Sequence, residues 1–452
     1  MNPQLSRFVQ RCFCLTGWMF LLASCLRPHA KADDWPQWLG PQRDGVWRET
    51  GILETFPEGG PDIRWRTPIG SGYSGPAVAN GRVYVHDRRL PPGTSNPENA
   101  FDRGGIPGTE RVLCLDEKDG RILWSHEYDC VYTISYAAGP RVSPLIRQGK
   151  VYTLGAEGHL LCLNADTGEE VWSRDLTKDF GMRTPMWGFA GHPLIDGNKL
   201  ICLVGGEGSV AVAFDKDSGK ELWRALSAKE PGYAPPMIYT FHGRRQVIIW
   251  HPEAVGGLDP ESGEVLWSCP WQIRAGMSIP SPRQLDDRLF LSCFYNGSLM
   301  MRITDGEPEV LWKSPKASEK DTLMLHSVMS TPVIDEGHIY GCCSYGQFRC
   351  LTTDTGERVW ETFEPTTGKS QRWGNAFIVQ QGDRYFLFNE LGDLIIAKLS
   401  PEKYEEISRA HLIEPDNKDP HRSVVWSHPA FANRSVYVRN DSEIVCASLA
   451  QE

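Results

Sequence analysis

Short apolar runs separated by polar turns recur along nearly the whole chain. One unit consists of the run Lys150–Leu154, a glycine-bearing turn and a second run, His159–Leu163. A shorter run opens each unit after a proline, as at Pro144, Pro193 and Pro332. Runs of about five residues bounded by turn residues are typical of β-strands, and proline is tolerated at the first residue of a strand. The pattern therefore predicts an all-β chain of short antiparallel strands.

A tight turn follows the third run of most units. It centres on Asp/Asn-x-x-Thr/Ser-Gly, as at residues 164–168, 215–219 and 259–263, with variants at residues 116–120 and 352–356. The Asp or Asn side chain can bond the turn's own backbone, and glycine takes the left-handed conformation that other residues resist. Such turns force tight hairpins.

A tryptophan follows each turn at an interval that fits one four-stranded blade. From Trp124 to Trp360 the successive spacings are 48, 51, 44, 45 and 48 residues, a length typical of propeller repeats. A large flat ring on the outermost strand can cover the seam between neighbouring blades. The tryptophans expected to dock in this way are Trp65, Trp124, Trp172, Trp223, Trp267, Trp312 and Trp360.

The repeat predicts an eight-bladed β-propeller of four-stranded antiparallel blades. Residues 376–407 repeat the plan with Ile407 where tryptophan is expected, and residues 427–449 supply only three strands. The missing strand is assigned to residues 62–67, because Trp65 has no preceding strands of its own. The N- and C-terminal strands are therefore expected to share the closing blade, which hides edges that an open sheet would expose.

The first residues have the features of an export signal. Arg7 and Arg11 precede an apolar run at residues 12–23, which is too short to span a bilayer comfortably. Ala-Lys-Ala at residues 30–32 fits signal peptidase, whereas Leu-Ala-Ser-Cys ending at Cys25 fits a lipobox. The first alternative predicts a protein starting at Asp33, and the second predicts a lipidated Cys25 after a leader of residues 1–24.

Three segments are expected from this organisation: a leader at residues 1–32, a Trp/Pro-rich opening segment at residues 33–62, and the propeller at residues 63–452. Later runs are short and interrupted by Gly, Pro and charge, so no transmembrane span is expected. The chain is expected to be exported to the periplasm or the cell envelope. An insertion at residues 91–110 predicts a long surface loop.

The net charge of the chain argues against nucleic-acid binding, and the positions of its cysteines argue against disulfides between blades. A formal net charge of -10 disfavours the phosphate attraction on which nucleic-acid binding depends. Cys114, Cys162, Cys350 and Cys446 occupy equivalent positions in four blades and are therefore held apart. Most of the ten cysteines after the leader are expected to stay free and to pack as small hydrophobes.

The repeat resembles that of the PQQ-type propellers, in which the outer strand ends in Asp-x-x-Thr-Gly-x-x-x-Trp. The resemblance covers residues 63–449, and the opening segment Trp35–Gly45 is similar to the start of many exported bacterial members. It implies the propeller fold and two functional classes. One comprises quinoprotein dehydrogenases that use PQQ with calcium, and the other comprises non-catalytic propellers such as the lipoprotein subunit of the outer-membrane β-barrel assembly machinery.

The features expected of a quinoprotein are only partly present. The resemblance implies a calcium ion held by carboxylate and amide oxygens, a tryptophan against the quinone, and in several members two adjacent bonded cysteines. The pair Cys342-Cys343 lies inside a strand-like run, which favours ordinary packing. The glycine pattern at residues 70–75 is followed by a propeller strand rather than by the helix of a dinucleotide site. No Cys-x-x-Cys-His haem attachment occurs.

Polar and aromatic residues concentrate in the segments that link one blade to the next. These connections converge at one mouth of a propeller channel, where function concentrates. Arg141, Arg274 and Arg372 suit an anionic ligand, and no pair of carboxylates or metal-ligand cluster stands out there. The predicted ligand-binding residues are Tyr136, Arg141, Trp187, His192, Tyr233, Arg274, His326, Arg372, Trp373 and His428.

Two functional hypotheses result. The first is a non-catalytic exported propeller that binds a protein partner or a small-molecule ligand at its channel mouth, with no assigned cofactor or catalytic residue. The alternative is a PQQ-dependent oxidoreductase of alcohols or sugars, with calcium as a second cofactor. Fold alone does not separate them, because sites are grafted onto propellers freely.

Overall fold

The computed structural model describes residues 33–315, 318–419 and 421–451. The expected leader and the alternative lipidation residue Cys25 lie outside these residues. Across the described part of the chain, every helix is too short or too polar to cross a bilayer.

Eight four-stranded antiparallel sheets form the blades of a β-propeller, which confirms the predicted fold. The strand that opens the chain is β1 Ile63–Pro68. The strands of blades 1 to 4 are β2 Ala77–Ala79, β3 Arg82–Arg89, β4 Thr109–Asp116, β5 Ile122–Asp129; β6 Leu145–Arg147, β7 Lys150–Leu154, β8 His159–Asn164, β9 Glu170–Asp175; β10 Leu194–Asp196, β11 Lys199–Leu203, β12 Ala211–Asp215, β13 Glu221–Ala225; and β14 Met237–Phe241, β15 Arg244–His251, β16 Ala254–Leu258, β17 Val265–Pro270.

The remaining blades follow the same plan. Their strands are β18 Arg283–Leu285, β19 Arg288–Cys293, β20 Gly297–Arg302, β21 Glu309–Lys313; β22 Val333–Asp335, β23 His338–Cys342, β24 Phe348–Thr352, β25 Arg358–Thr362; β26 Ala376–Gln381, β27 Arg384–Asn389, β28 Asp393–Leu399, β29 Tyr404–His411; and β32 Ala430–Ala432, β33 Ser435–Arg439, β34 Glu443–Ser448. A hairpin, β30 Asn417–Asp419 with β31 Arg422–Val424, a short helix α1 Leu176–Phe180 and a 3₁₀ turn Arg274–Gly276 lie in the connections.

The two ends of the chain share blade 8, as predicted. Strand β1 pairs antiparallel with β34, and Trp65 lies opposite Cys446. The same register places Trp124 opposite Cys114, Trp172 opposite Cys162 and Trp360 opposite Cys350. The four equivalent cysteines thus lie in separate core clusters, and each is the cross-strand neighbour of a tryptophan.

Most of these tryptophans join one blade to the next. Six of the seven indole Nε1 groups donate to a main-chain carbonyl of the following blade, for example Trp124 to Ala165 at 3.1 Å and Trp172 to Lys216 at 3.0 Å. Trp267 instead donates to Gln246 Oε1 within its own blade at 2.6 Å. The next blade carries the shortened turn at residues 304–306, so the usual acceptor turn is missing there.

Blade 7 corrects one detail of the sequence prediction. The residue in the tryptophan register is Ser408, which pairs with Ile396, whereas Ile407 occupies the bulge. Counting from earlier tryptophans missed this by one residue because blade spacing varies. Ser408 Oγ accepts a hydrogen bond from the backbone N–H of Phe56 at 2.9 Å, so the opening segment contacts this outer strand.

The repeated glycine is required for two reasons, and its replacement is expected to be costly. Gly168 has φ +74°, and a Cβ there would lie 2.5 Å from the Trp124 ring. Gly149 has the same φ, but a Cβ there meets no atom within 4 Å. Gly149→Ala should cost about 1 kcal/mol from the left-handed backbone, and Gly168→Ala about 1–3 kcal/mol more from overpacking. Urea unfolding of both variants measures the difference, and equal midpoints would contradict the docking role of the turn.

The opening segment crosses the channel end formed by the inner strands. Trp35 exchanges backbone hydrogen bonds with Val78 in blade 1, and Trp47 N donates to Gln380 O in blade 7 at 2.7 Å. Between them the buried Arg43 guanidinium donates to the carbonyls of His192, Pro193 and Pro236. Residues 35–47 therefore tie together inner strands from both sides of the ring.

The insertion after β3 ends earlier than predicted. Residues 90–108 form the loop between β3 and β4 within blade 1. Strand β4 begins at Thr109, so Glu110 is a fully buried strand residue rather than part of a surface loop. Residues 70–75 lead into strand β2, which confirms that no helix follows this glycine pattern.

Candidate functional site

The connections between blades surround a cavity of about 260 Å³ at one mouth of the channel. All eight connections contribute at least one lining residue, which places the cavity on the ring axis. We call this cavity the aromatic cup. Eight of the ten predicted ligand-binding residues line it: Tyr136, Arg141, Trp187, His192, Tyr233, Arg372, Trp373 and His428.

Arg274 and His326 lie outside the cup. Arg274 is exposed, and its guanidinium lies 4.5 Å from the centre of the Tyr295 ring. His326 is buried, and its Nδ1 is 3.0 Å from the carbonyl of Phe294. Burial lowers the pKa of His326 to about 4. Both residues were assigned from their position in a connection, and sequence position did not reveal the direction of their side chains.

Four aromatic rings form one wall of the cup: Phe101, Tyr136, Trp373 and Trp426. Tyr136 lies edge-to-face with Phe101 at 5.3 Å and with Trp373 at 6.2 Å between ring centres. Trp426 lies 6.0 Å from Tyr136. Tyr136 and Trp373 have φ of +54° and +62°, which bulky residues rarely adopt. Such backbone strain is found where the surroundings hold a residue in place, often at ligand sites.

A buried network of charged side chains contacts Trp426 of this wall. Arg422 donates to both carboxylate oxygens of Glu390, at 2.8 and 3.1 Å, and to Asp419 at 2.6 Å. Trp426 Nε1 donates to Glu390 at 3.1 Å. Burial raises the pKa of both Glu390 and Asp419. The network holds the indole of Trp426 in place, because its acceptor Glu390 is bonded to Arg422, which in turn binds Asp419.

The two arginines of the cup differ in their available charge. Arg372 pairs with Glu319 at 2.6 Å and lies 4.4 Å from the Trp373 ring centre, while its buried Nε has no hydrogen-bond partner. Arg141 donates only to main-chain carbonyls of Ser135, Tyr136 and Gly139. Among the described residues no carboxylate forms an ion pair with Arg141, so its charge remains uncompensated.

The floor of the cup is formed by Trp38 of the opening segment and two histidines. The Trp38 ring stacks on His192 at 4.4 Å with an interplanar angle of 7°, and meets His428 edge-on at 4.4 Å. His192 Nδ1 accepts from Ser143 N at 3.1 Å, and His428 Nε2 lies 2.7 Å from Ser143 Oγ. Burial lowers the pKa of His192 well below 6.5 and that of His428 to about 3. Both rings are therefore neutral.

Neutral buried histidines make the cup sensitive to acid. His428 has a folded-state pKa below its unfolded value of 6.5. Its contribution to the free energy of unfolding is therefore fully present above pH 6.5 and is lost as the pH falls toward about 3. Between pH 6 and pH 4, the proton that His428 binds in the unfolded chain should lower the free energy of unfolding by about 1.4 kcal/mol for each unit by which the pH falls. His428→Gln removes this titration and should reduce the slope measured by urea unfolding at each pH to the part that His192 contributes. The same slope in both proteins would contradict this.

Several cup residues were missed by sequence reasoning. Phe294 and Tyr295 lie in the hairpin loop between β19 and β20, and Phe101 belongs to the insertion after β3. Tyr73 lies within the glycine pattern at residues 70–75, which was considered only as a dinucleotide site. Trp38 could be noticed only as one of several tryptophans in the opening segment. Trp426 was recognised with His428 among the aromatic and polar residues of the connections, but it was not included in the predicted ligand-binding set.

The cup does not fit PQQ together with calcium. Calcium takes six to eight oxygen ligands from carboxylates, amides and carbonyls, but none of the side chains that line the cup is a carboxylate or an amide. The adjacent cysteines also lie elsewhere. Cys342 Sγ contacts Ala376 O, and Cys343 Sγ accepts from Arg349 at 3.1 Å. Both are free, as are the other eight cysteines of the described residues.

Comparisons with known proteins return two functional classes. The family model PQQ_2, described as outer membrane protein assembly factor BamB, matches residues 108–362. BamB of Burkholderia pseudomallei is 26% identical over 267 residues, covering 56% of this chain and 63% of that protein. Quinohemoprotein alcohol dehydrogenase ADH-IIG of Pseudomonas putida is 27% identical over 135 residues, covering 28% of this chain and 18% of that protein. The chain thus matches just under two thirds of this BamB and under a fifth of this dehydrogenase.

Solved structures of both classes share the fold. The crystal structure of BamB from Moraxella catarrhalis has a TM-score of 0.54 at 16% identity, covering 86% of this chain and 98% of that one. A europium-containing methanol dehydrogenase has a TM-score of 0.59 at 13% identity, covering 90% and 89%. At these identities the likeness shows the propeller architecture alone.

Proposed function

Because this chain belongs to the PQQ_2 family, described as outer membrane protein assembly factor BamB, we propose that it is a non-catalytic exported propeller that binds a segment of a partner protein in its aromatic cup. The observation that carries this proposal is the composition of the cup. Aromatic rings, two arginines and neutral histidines line it, with no carboxylate and no amide among the lining side chains.

This composition suits binding better than chemistry. Aromatic walls bury a large apolar area and also present polar tips, which is why aromatic residues and arginine are enriched at the centres of protein interfaces. The buried histidines are neutral with their Nδ1 and Nε2 acceptors bonded to Ser143, so neither is poised as a general base. A backbone carbonyl or carboxylate of the bound segment would meet the guanidinium of Arg141, which forms no ion pair with a carboxylate of the described residues.

The names of the relatives indicate which class of partner to expect. BamB is by name an assembly factor of outer membrane proteins, and strands of such proteins alternate apolar and polar residues. We therefore expect an extended segment of alternating pattern, with an aromatic side chain in the cup. A location in the bacterial envelope follows from this function, and an N-terminal leader or a lipid anchor on Cys25 would provide it.

The test uses a defined probe. A short synthetic peptide of alternating threonine and phenylalanine should bind saturably in isothermal titration calorimetry, and the same peptide with alanine for phenylalanine should not. Trp373→Ala removes one of the four rings of the aromatic wall and should weaken binding about tenfold, equivalent to ~1.4 kcal/mol. Trp271→Ala is the matched control, because this half-buried tryptophan stacks on Trp250 outside the cup.

A second experiment addresses the quinoprotein alternative. The purified protein is titrated with PQQ and calcium chloride and assayed for dye-linked oxidation of ethanol and glucose. We expect no turnover, because the cup offers calcium no carboxylate or amide oxygen. Turnover that Trp373→Ala abolishes, or equal peptide binding by Trp373→Ala and the parent protein, would contradict the proposed function.

A further inference from the structure

Three different metal-binding side chains converge in the seam between blades 1 and 2. Glu110 lies in β4, Cys130 directly follows β5, and His159 is the first residue of β8. Glu110, Cys130 and His159 each offer one donor atom, and the three donor atoms lie within 4.8 Å of one another. None of the three belongs to the aromatic cup.

The spacing of the sulfur and nitrogen donors is close to that of a zinc site. Cys130 Sγ lies 3.8 Å from His159 Nδ1. Zn–S and Zn–N bonds of tetrahedral sites place these two atoms about 3.6 Å apart. A shift of a few tenths of an ångström would therefore bring both atoms onto one ion.

The carboxylate of Glu110 retains capacity for a metal. Its Oε1 accepts from Tyr132 OH and from Ala156 N, the latter at 3.0 Å. Its Oε2 accepts from Tyr128 OH. His86 Nε2 lies 3.6 Å from Oε2, beyond hydrogen-bond distance. One lone pair of Oε2 thus has no strong donor, although the residue is completely buried.

The electrostatic surroundings favour a cation. Besides Glu110, the carboxylates of Glu157 and Asp175 act on the Cys130 sulfur, and Arg88 opposes them. His86 also lies near the site, 3.6 Å from Glu110 Oε2. His159 is half-buried, which gives an ion an approach from solvent. Thiol, imidazole and carboxylate ligands together suit zinc better than calcium or magnesium, which prefer oxygen alone.

We propose that Glu110, Cys130 and His159 bind one Zn²⁺ ion, with a water molecule as the fourth ligand. The ion displaces the thiol proton of Cys130 to solvent and forms the Zn–S bond, so one proton is released for each ion bound. The bound ion links the last strand of blade 1 to blade 2 and stabilises this seam. The proposal is independent of what binds in the cup.

The test is titration of the full chain after removal of metals with a chelator. Zinc competition against a chromophoric chelator should give one equivalent bound. Cobalt(II) at the same site should give a thiolate-to-metal charge-transfer band. Zinc should also raise Tm, because an ion that binds only the folded state stabilises it.

Substitutions of the proposed ligands test which side chains bind the ion. Cys130→Ser should abolish the charge-transfer band and weaken zinc binding at least a hundredfold, and His159→Gln should weaken it at least tenfold. Cys269→Ser, at a half-buried cysteine in another seam, is the control and should change neither. Circular dichroism of each variant without metal checks that it is folded.

Either of two results would overturn the proposal. One is that the folded chain shows no saturable zinc binding, in which case Cys130 and His159 share only a hydrogen bond. The other is that the charge-transfer band persists in Cys130→Ser. Loss of the band together with loss of the zinc-dependent rise in Tm in that variant supports the assignment.

Discussion

Replacing Trp47 with alanine should lower the free energy of unfolding by about 3–5 kcal/mol, the usual cost of truncating a buried tryptophan. Trp47 is 1% exposed although it precedes the first blade strand. Its ring lies 5.5 Å from Phe386 in blade 7 and 5.1 Å from Phe431 in blade 8. The substitution would therefore leave a cavity between two blades that the opening segment holds together.

Urea unfolding monitored by circular dichroism measures this loss. The matched control is Trp271→Ala, because Trp271 is half-buried and has its stacking partner Trp250 within one blade. Its loss should cost less than about 2 kcal/mol. If Trp47→Ala unfolds at the midpoint of the parent protein, the opening segment is not part of the cooperative unit.

The second large effect is expected at a buried ion pair in blade 1. Asp87 in β3 accepts from Arg111 Nε at 2.9 Å and Nη2 at 2.5 Å, and from the backbone N–H of Gly70 at 2.5 Å. Both charged side chains are almost completely buried. Asp87→Asn keeps the shape but leaves the Arg111 charge unpaired, which should cost about 3–5 kcal/mol.

An exposed pair provides the control for this variant. Asp354 bonds Arg288 at 2.8 Å, but its side chain is 82% exposed. Asp354→Asn should therefore change stability by less than about 1 kcal/mol. Equal effects of the two Asp→Asn variants in thermal unfolding would show that burial does not decide the strength of these pairs.

The fold could be predicted because its defining contacts are local and repeated. Each Asp/Asn-x-x-Thr/Ser-Gly turn sets its own hairpin, and the tryptophan after it needs only the next copy of the turn. The closing blade also followed from the sequence, since Trp65 lacked strands of its own and the last repeat lacked one. Ser408 escaped prediction because the spacing between equivalent residues varies from blade to blade, so counting forward from Trp360 gave Ile407 instead.

The candidate site was predictable only in part. All eight connections contribute residues to the cup, but the direction of each side chain depends on neighbours from other blades. Arg274 and His326 lie in the expected connections but do not line the cup. Trp38 forms the floor although it lies outside the repeats, because the opening segment crosses the channel in three dimensions.

The sequence by itself determined the blade, the number of blades and the way the ring closes. Each of these depends on turn chemistry and on the spacing of tryptophans along the chain. Only the tertiary structure decided which side chains meet on the axis and in the seams. The cup combines residues from all eight connections with Trp38, and the Glu110, Cys130 and His159 cluster joins two blades. Contacts of that kind depend on packing between distant segments, which no local pattern records.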